Sequence, residues 1–458
     1  MRIFKRPRHT TTLLTVLLCL VGPIAGSASD PPILVTVGEV TEKTAVVWVR
    51  ASAPGRIAVE YRTRVGNPGH VKREEAQATV AADFTVKIPL SALSPSTRYD
   101  YRISADTTTV TGQFRTAPPA RAMEPVSFLW SGDLGSGGNC RDPQRGYPIF
   151  TAMNRLGPDF FLFVGDTIYA DQRCGREAVP GADFVATTLH EFRLKHRYNR
   201  ADPSVQTFFR NTAVYAIWDD HEVRNDFSGP AEPLMPVGRQ AFLDYWPIIP
   251  PPEEPGRLYR RVRWGQPLEL FILDTRQYRS PNSQPDGPGK SMLGERQRRW
   301  LLESLGASDA VWKVVVTSVP LSVSTGRVYR DGWANGSTTF FPEGSPTGFE
   351  HELQSIVRSL GDRRIRNIVW LTTDVHHAEI IRHTPRPDLT FYEFLAGPLS
   401  ASRGHPGQLD HTLNPVSLFA RGDFFNFGQV AIDSQGLTVR IYDEAGALHF
   451  ERTFLPQR

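Results

Sequence analysis

Carboxylate and imidazole side chains follow several apolar segments of this chain, at points where strands are expected to end. The segments are Ser131-Gly132-Asp133, Gly165-Asp166-Thr167-Ile168-Tyr169-Ala170-Asp171, Trp218-Asp219-Asp220-His221-Glu222, Thr373-Asp374-Val375-His376-His377 and, with an arginine, Leu273-Asp274-Thr275-Arg276. So many carboxylates at strand ends would repel one another and raise one another's pKa values unless multivalent cations neutralised them. Oxygen donors with a few imidazoles and a phenol suit hard cations such as Ca²⁺, Mn²⁺ or Fe³⁺. The pattern therefore predicts a metal centre.

Four motifs in a fixed order resemble those of a known enzyme family. They are Gly165-Asp166-x-x-Tyr169, Trp218-Asp219-Asp220-His221-Glu222, Asp274-Thr275-Arg276-Gln277-Tyr278 and Asp374-Val375-His376. This order resembles the PhoD-like alkaline phosphatases and phosphodiesterases of the calcineurin-like metallophosphoesterase superfamily, over residues 38–448. Each motif is weak alone, but four in order are specific. The resemblance implies a hydrolase that uses two metals to activate water against phosphomonoesters, phosphodiesters or both.

The resemblance also implies a role for each motif residue. The implied metal ligands are Asp133, Asp166, Tyr169, Asp220, Asp374 and His376. Asp166 would bridge two metals, and Tyr169 would bind a ferric ion through its phenolate. His221 would contact the phosphoryl oxygens, and Arg276 would clamp the phosphate. The alternatives are purely structural: an Asp after a strand can cap a turn, and an Arg there can form a surface ion pair.

Three further motif residues, Asp219, Glu222 and His377, are expected to orient the ligands or the loops rather than to bind metal. Better-known family members carry a Cys ligand where this chain reads Ser131-Gly132-Asp133, and we align Asp133 there. A carboxylate is a harder donor than a thiolate, so the substitution favours a calcium, manganese or mixed-metal site over an iron site. The expected cofactors are two or more metal ions, Ca²⁺ and/or Fe³⁺ first and Mn²⁺ as the alternative.

Two kinds of segment must position these residues. Residues 33–116 alternate short strands with Gly, Pro, Asn and Asp clusters, which predicts a small all-β sandwich of fibronectin III or Ig type. From Val126 onwards, buried strands alternate with helical segments, which predicts a layered α/β domain. The family resemblance implies that this domain is a two-sheet metallophosphoesterase sandwich flanked by helices. The expected domains are a β-sandwich at 30–116 and a catalytic domain at 122–458, preceded by a signal peptide at 1–28. Catalytic groups should lie at the carboxyl ends of the strands.

The first residues predict export. Basic residues precede the apolar run 13–21, and the small residues 25–28 follow it, as in a secretory signal. No other stretch has the roughly 20 apolar residues of a membrane span, so we expect a secreted or periplasmic protein without a transmembrane segment. The family's twin-arginine signal is missing, because the chain reads Lys5-Arg6-Pro7-Arg8. In an oxidising compartment, Cys140 and Cys174 are expected to form a disulfide.

Composition excludes other classes. The 52 Lys plus Arg nearly balance the 48 Asp plus Glu, and the net charge of +4 gives no case for a dedicated nucleic-acid binder. We expect a monomer that acts on a phosphate ester. The aromatic residues of the long loop 324–348, Tyr329, Trp333, Phe340 and Phe341, could instead cover a lipid or nucleoside in a phospholipase D-like phosphodiesterase. A catalytically inactive binding protein is the alternative from another class.

Overall fold

The computed structural model describes residues 31–64, 71–336 and 346–457, so the predicted signal peptide lies outside the described residues. The N-terminal strands are β1 (Ile33–Gly38), β2 (Ala45–Ala51), β3 (Gly55–Thr63), β4 (Lys72–Ala78), β5 (Thr85–Leu90), β6 (Arg98–Ala105) and β7 (Thr108–Arg115). The later strands are β8 (Val126–Ser131), β9 (Phe160–Val164), β10 (Ala213–Ile217), β11 (Arg260–Trp264), β12 (Leu268–Ile272), β13 (Trp312–Val316), β14 (Ile368–Thr372), β15 (Ala378–Arg386), β16 (Leu389–Leu395), β17 (Pro415–Arg421), β18 (Asn426–Asp433), β19 (Gly436–Asp443) and β20 (Leu448–Phe454). The helices are α1 (Ile149–Arg155), α2 (Leu189–Arg200), α3 (Pro203–Phe209), α4 (Met235–Tyr245), α5 (Gly294–Ala307) and α6 (Glu350–Asp362), with short 3₁₀ turns at Gly137–Asn139 and Gly229–Ala231.

Two large mixed sheets carry the later strands. One has nine strands in the order β20-β19-β18-β8-β9-β10-β1-β2-β5, and the other has seven in the order β11-β12-β13-β14-β16-β15-β17. Their inner faces share a hydrophobic core, in which the ring of Phe160 lies 4.7 Å from that of Trp264. The predicted α/β two-sheet sandwich, preceded by an all-β region, is confirmed.

Parallel pairing explains where the functional residues meet. Strands β8, β9 and β10 are parallel neighbours in one sheet, and β12, β13 and β14 are parallel neighbours in the other. Strands such as β9, whose sequence FFLFV is buried at every position, are apolar on both faces because the opposite sheet and the helices cover them. Their carboxyl ends share one edge of the sandwich, which brings together the loops that begin at Gly132, Gly165 and Trp218.

The N-terminal strands are divided between two sheets. Strands β3, β4, β6 and β7 form a separate four-stranded sheet, whereas β1, β2 and β5 extend the nine-stranded sheet. The connection is the parallel pairing of β1 with β10, where Gly38 lies opposite Val214. A side chain at Gly38 would collide with the Val214 carbonyl oxygen and the Pro247 ring, so this close approach requires glycine. The predicted boundaries at 116 and 122 stay predictions.

The predicted aromatic cover of the cleft differs in the structure. Trp333 is fully buried in the core beside the seven-stranded sheet, because burial removes its large apolar surface from water. Tyr329 is exposed but does not line the cleft described below, and Phe340 and Phe341 lie outside the described residues. None of the helices in the described ranges has both the length and the apolar character that a membrane span requires.

Candidate metal centre

Four of the six predicted metal ligands have an unusual backbone conformation. Asp133, Asp166, Asp374 and His376 have φ angles of 64°, 49°, 72° and 59°, in the left-handed region that side chains rarely adopt. Strained conformations of this kind persist where the surrounding structure holds them, and they cluster at functional sites. Gly165, with a φ of 82°, precedes Asp166, and a side chain there would clash with Asp219. The strand-end turns therefore aim these side chains at a common point.

The first group of potential ligands joins the loops after β8, β9 and β14. One ligand atom each of Asp133, Asp166 and His376 lies within 4.8 Å of the others. His376 Nε2 lies 3.4 Å from Asp133 Oδ1 and 3.0 Å from the Tyr169 hydroxyl. Ser402 lies 2.8 Å from the other ring nitrogen of His376, which fixes the ring orientation. The four predicted residues of this group thus converge on one point.

The second group shares a member with the first. Asp166, Asp220 and His221 offer ligand atoms within 4.8 Å of one another, and so do Asp219, Asp220 and Asp374. Asp166 therefore belongs to both groups, as a bridging carboxylate must. The six predicted metal ligands form one continuous cluster.

Several carboxylate oxygens in this cluster have no hydrogen-bond partner among the described residues. They are both oxygens of Asp133 and one each of Asp166, Asp219, Asp220 and Asp374. Burial, with the nearby charges of Asp220 and Asp219, raises the pKa of Asp166 well above its usual range. Burial and Asp219 do the same for the pKa of Asp374. Unpartnered buried carboxylates are costly, and cations satisfy them, so the donor set fits hard metal ions.

A cleft of about 580 Å³ opens onto the cluster, lined by residues that include Tyr169, Asp220, His221, Asp374 and His376. The Tyr169 and His221 rings lie 4.2 Å apart. The cleft gives a substrate access to the side chains that converge there.

His221 is held by a carboxylate that the sequence analysis did not single out. Its Nδ1 lies 2.7 Å from Asp171 Oδ1, while the other oxygen of Asp171 accepts the backbone N–H of Asn225. Burial lowers the pKa of His221, but Asp220 and Asp171 outweigh it and raise the pKa to about 9. Because Asp171 occupies Nδ1, the opposite nitrogen, Nε2, is left to serve a ligand.

Arg276 lies differently from the predicted phosphate clamp. Its side chain is fully buried, donates to Asp219 through Nε, and pairs with Asp331 at 2.7 Å. Arg279 also pairs with Asp331, at 2.8 Å, while Asp220 lies 3.9 Å from Arg276. The guanidinium faces buried carboxylates and does not line the cleft. Its positive charge neutralises Asp219 and Asp331 on the side of the cluster away from the cleft.

Two buried side chains connect the loops that carry the cluster. Glu222 accepts the backbone N–H groups of Asp166, Thr167 and Asp219 and the Thr167 hydroxyl. Glu222 thus contacts the loops after β9 and β10, and its orienting role stays a prediction. His377, whose role was expected to be similar, lies 3.1 Å from Glu379.

The second connecting side chain is Asn199, on α2. Its amide donates to the backbone carbonyls of Leu134 and Thr167, both at 3.0 Å, and it accepts the Tyr147 hydroxyl. Leu134 and Thr167 directly follow Asp133 and Asp166, so this amide joins two of the cluster's loops. Asn199 was missed because an isolated polar residue on a helix carries no local signal.

The two cysteines of the described residues form a disulfide. Cys140 lies in the loop after β8 and Cys174 in the loop after β9, with 34 positions between them in the sequence. The bond therefore joins the same two loops that Asn199 connects through hydrogen bonds.

A two-sheet sandwich with a carboxylate and imidazole cluster at the carboxyl ends of its strands defines the metallophosphoesterase-like fold. Residues 133–441 match the family model described as PhoD-like phosphatase, and residues 27–118 match that of the PhoD-like phosphatase N-terminal domain. The chain belongs to the PhoD-like phosphatase family.

Known proteins resemble the chain over most of its length. Alkaline phosphatase D of Bacillus subtilis (strain 168) is 24% identical over 386 residues, which are 74% of this chain and 63% of that protein. The match thus spans less than two thirds of the relative. A structure titled as that of PhoD has a TM-score of 0.75 at 18% identity, covering 92% of this chain and 88% of the other. Purple acid phosphatase PPD1 from yellow lupin (Lupinus luteus) seeds has a TM-score of 0.63 at 14% identity, covering 92% and 73%. Both structures support the fold.

Proposed function

We propose that this protein is a secreted, monomeric, metal-dependent phosphoesterase that hydrolyses phosphomonoesters, phosphodiesters or both. One observation carries the proposal: buried carboxylate oxygens without partners converge at the floor of an open cleft. The similarity to alkaline phosphatase D supports the same reaction class.

Six residues would hold two or more cations: Asp133, Asp166, Tyr169, Asp220, Asp374 and His376. When bound, such cations neutralise phosphoryl oxygens and lower the pKa of a water molecule. We expect Ca²⁺ and/or Fe³⁺, with Mn²⁺ as the alternative. Elemental analysis of protein purified from its exporting host tests the identity, and a zinc-only content would contradict it.

His221 is proposed to act directly on the substrate. Asp171 holds its Nδ1, so Nε2 can donate a hydrogen bond to a phosphoryl oxygen or a proton to the leaving oxygen. Arg276 is reassigned from phosphate clamp to positioning residue, because it contacts Asp219 and Asp331 rather than the cleft. The N-terminal sandwich at 30–116 is proposed to support the nine-stranded sheet through the pairing of β1 with β10.

Hydrolysis of p-nitrophenyl phosphate and bis-p-nitrophenyl phosphate by the mature protein tests this function. Each assay contains Ca²⁺, Mn²⁺ or iron, with a chelator as control. We expect turnover that the chelator abolishes, and the ratio of the two rates ranks monoesterase against diesterase activity. No turnover with either ester in any metal would contradict the proposal and favour a binding protein.

Two variants at opposite ends of one strand make the test specific. Asp159 precedes β9 and pairs with Arg115, whereas Asp166 follows β9 in the cluster. Asp166→Asn is expected to lower kcat by at least about 10³-fold and to reduce the bound metal. Asp159→Asn removes a charge from the same strand and should leave kcat unchanged in the folded protein. Equal effects of the two changes would contradict a role of Asp166 in catalysis.

A further inference from the structure

The cleft above the metal cluster has one strongly basic side chain. Among the described residues that line it, Arg327 is the only arginine or lysine. Asp220, Asp226 and Asp374 line the same cleft, yet the Arg327 guanidinium has no hydrogen-bond or ion-pair partner within the described ranges. Arg276, in contrast, is buried and paired with carboxylates. Arg327 is therefore not a counter-charge that the fold uses, and its charge is left for a group that enters the cleft.

The backbone of Arg327 is attached to one of the metal-binding loops. Its N–H group donates to Asp226 Oδ2 at 3.2 Å, and the backbone N–H of Asp226 donates to Asp220 Oδ2 at 2.7 Å. Asp220 is one of the six predicted metal ligands. Two hydrogen bonds thus connect the backbone of Arg327 to the cluster and set its place beside it.

The loop that carries Arg327 has a tight, defined shape. Gly326 has a φ of 96°, and a side chain there would collide with the Tyr329 carbonyl oxygen. The backbone N–H of Asp331 donates to the Thr325 carbonyl oxygen at 3.0 Å, which closes the loop. The carboxylate of Asp331 is buried in its pair with Arg276, so this end of the loop is anchored in the protein interior. The side chain of Arg327 therefore starts from a fixed point on the cleft wall.

Exposure places Arg327 at the mouth of the cleft rather than at its floor. Arg327 is exposed, whereas Asp166 and Asp220 are buried. The cleft volume of about 580 Å³ lies within the range of about 300–1,000 Å³ that is usual for small-molecule pockets. The cleft can therefore hold more than one phosphoryl group. A phosphoryl group bound at the metal cluster would leave Arg327 facing the remainder of the substrate.

The rest of the lining favours a hydrophilic substrate. Apart from the acidic and imidazole groups, most lining side chains carry amides or hydroxyls, among them Asn139, Gln172, Asn225, Ser324, Thr325 and Gln408. Val323 and Val375 are the aliphatic side chains among the described lining residues. Amides and hydroxyls hydrogen-bond to polar groups, and a lipid or an unsubstituted aromatic ring would leave them without partners.

We propose that Arg327 is a specificity-determining residue that binds a second anionic group, a phosphate or a carboxylate, on the alcohol part of a hydrophilic phosphate ester. The planar guanidinium can present two parallel N–H bonds to two oxygens of such a group. This inference rests on the proposed function, because it requires the first phosphoryl group to bind at the metal cluster.

Two matched pairs of substrates test the preference, with released inorganic phosphate as the readout. 3-Phosphoglycerate differs from glycerol 3-phosphate by a carboxylate, and fructose 1,6-bisphosphate differs from fructose 6-phosphate by a second phosphate. Arg327→Met should lower the ratio of kcat/KM values, with over without the second anion, about tenfold in at least one pair, which corresponds to about 1.4 kcal/mol. The pair that responds identifies the anionic group. KM should carry the change while kcat stays nearly constant, because Arg327 lies away from the reacting atoms.

Arg403→Met is the matched control. Arg403 is also exposed and lies between the lining residues Ser402 and His405 in sequence, but it pairs with Asp423 and does not line the cleft. It removes the same charge, so both ratios should stay at the wild-type values. Wild-type ratios in Arg327→Met, or equal losses in the two variants, would overturn the inference while hydrolysis of p-nitrophenyl phosphate still supports the proposed function. A wild-type protein that hydrolyses none of these esters would overturn both.

Discussion

Replacement of Glu222 by glutamine should weaken metal binding although Glu222 touches no metal. One carboxylate oxygen accepts the backbone N–H and the hydroxyl of Thr167, and the other accepts the backbone N–H groups of Asp166 and Asp219. Glutamine has the same shape but only one oxygen. If its NH₂ group faces Asp166 and Asp219, two backbone N–H groups lose their acceptor, and if it faces Thr167, the backbone N–H of Thr167 loses its acceptor while the hydroxyl can turn to accept from the NH₂ group.

The size of the effect follows from these contacts. Glu222→Gln loses at least one hydrogen bond to a charged acceptor, worth about 1.5–3 kcal/mol. Burial raises the pKa of Glu222 to about 7, so removal of its charge regains part of this loss. We expect the free energy of unfolding to fall by about 1–2 kcal/mol. The loops of Asp166 and Asp219 lose their common anchor, and metal affinity should fall about 10–100-fold.

Glu352 offers a matched control at a distance from the cluster. It is also buried and accepts the Ser291 hydroxyl and the backbone N–H groups of Met292 and Leu293. Glu352→Gln can turn its NH₂ group towards the Ser291 hydroxyl and keep its oxygen on both backbone N–H groups, so it should lower stability by less than Glu222→Gln and leave metal affinity unchanged. Denaturant unfolding measures the first quantity, and competition with a chromogenic chelator measures the second. Wild-type metal affinity in folded Glu222→Gln would refute the anchoring role.

Four further changes test the remaining contacts. Asn199→Ala removes three buried hydrogen bonds and should lower the free energy of unfolding by about 2–4 kcal/mol, measured with urea; wild-type stability would contradict this. Cys140→Ala with Cys174→Ala should cost about 3–4 kcal/mol for a loop of this length, and reduction should not destabilise the double variant further. Arg276→Met should cost about 3–5 kcal/mol without a specific rise in KM, whereas a raised KM at unchanged stability would restore the phosphate clamp. Asp171→Asn should lower kcat about tenfold or more with little change in bound metal, and wild-type kcat would exclude it as the group that holds His221.

The clustering of the candidate metal ligands was predictable because local sequence and sheet geometry carry the same information. Apolar runs predict buried parallel strands, and polar residues at their carboxyl ends must share one edge of the sandwich. Asp133 could be placed in this way although it departs from the family's cysteine, and the structure brings it to His376. The α/β class followed from the same runs, whereas the two-sheet architecture followed from the family resemblance.

Contacts between distant segments could not be predicted. Asn199 reaches Leu134 across 65 positions, and Arg276 reaches Asp331 across 55, and no local pattern announces either contact. The pairing of Gly38 with Val214 likewise depends on how two regions dock. Arg276 was predicted to bind phosphate because its local sequence does not distinguish the two possible partners. An arginine after a strand can bind phosphate or buried carboxylates with the same neighbouring residues.

The internal arginines divide the acidic cluster into two parts. Burial alone would raise the pKa of Asp331, but Arg276 and Arg279 outweigh it and hold the pKa at about 2. Arg276 also pairs with Asp219, so the chain itself neutralises the deep side of the cluster. On the cleft side, no arginine or lysine pairs with Asp133, Asp166 or Asp374 in the described ranges, and each has an unpartnered oxygen. If side chains alone neutralised the cluster, arginine or lysine residues would pair with it on both sides. The absence of such pairs from the cleft side among the described residues favours metal ions there, where a substrate can reach them.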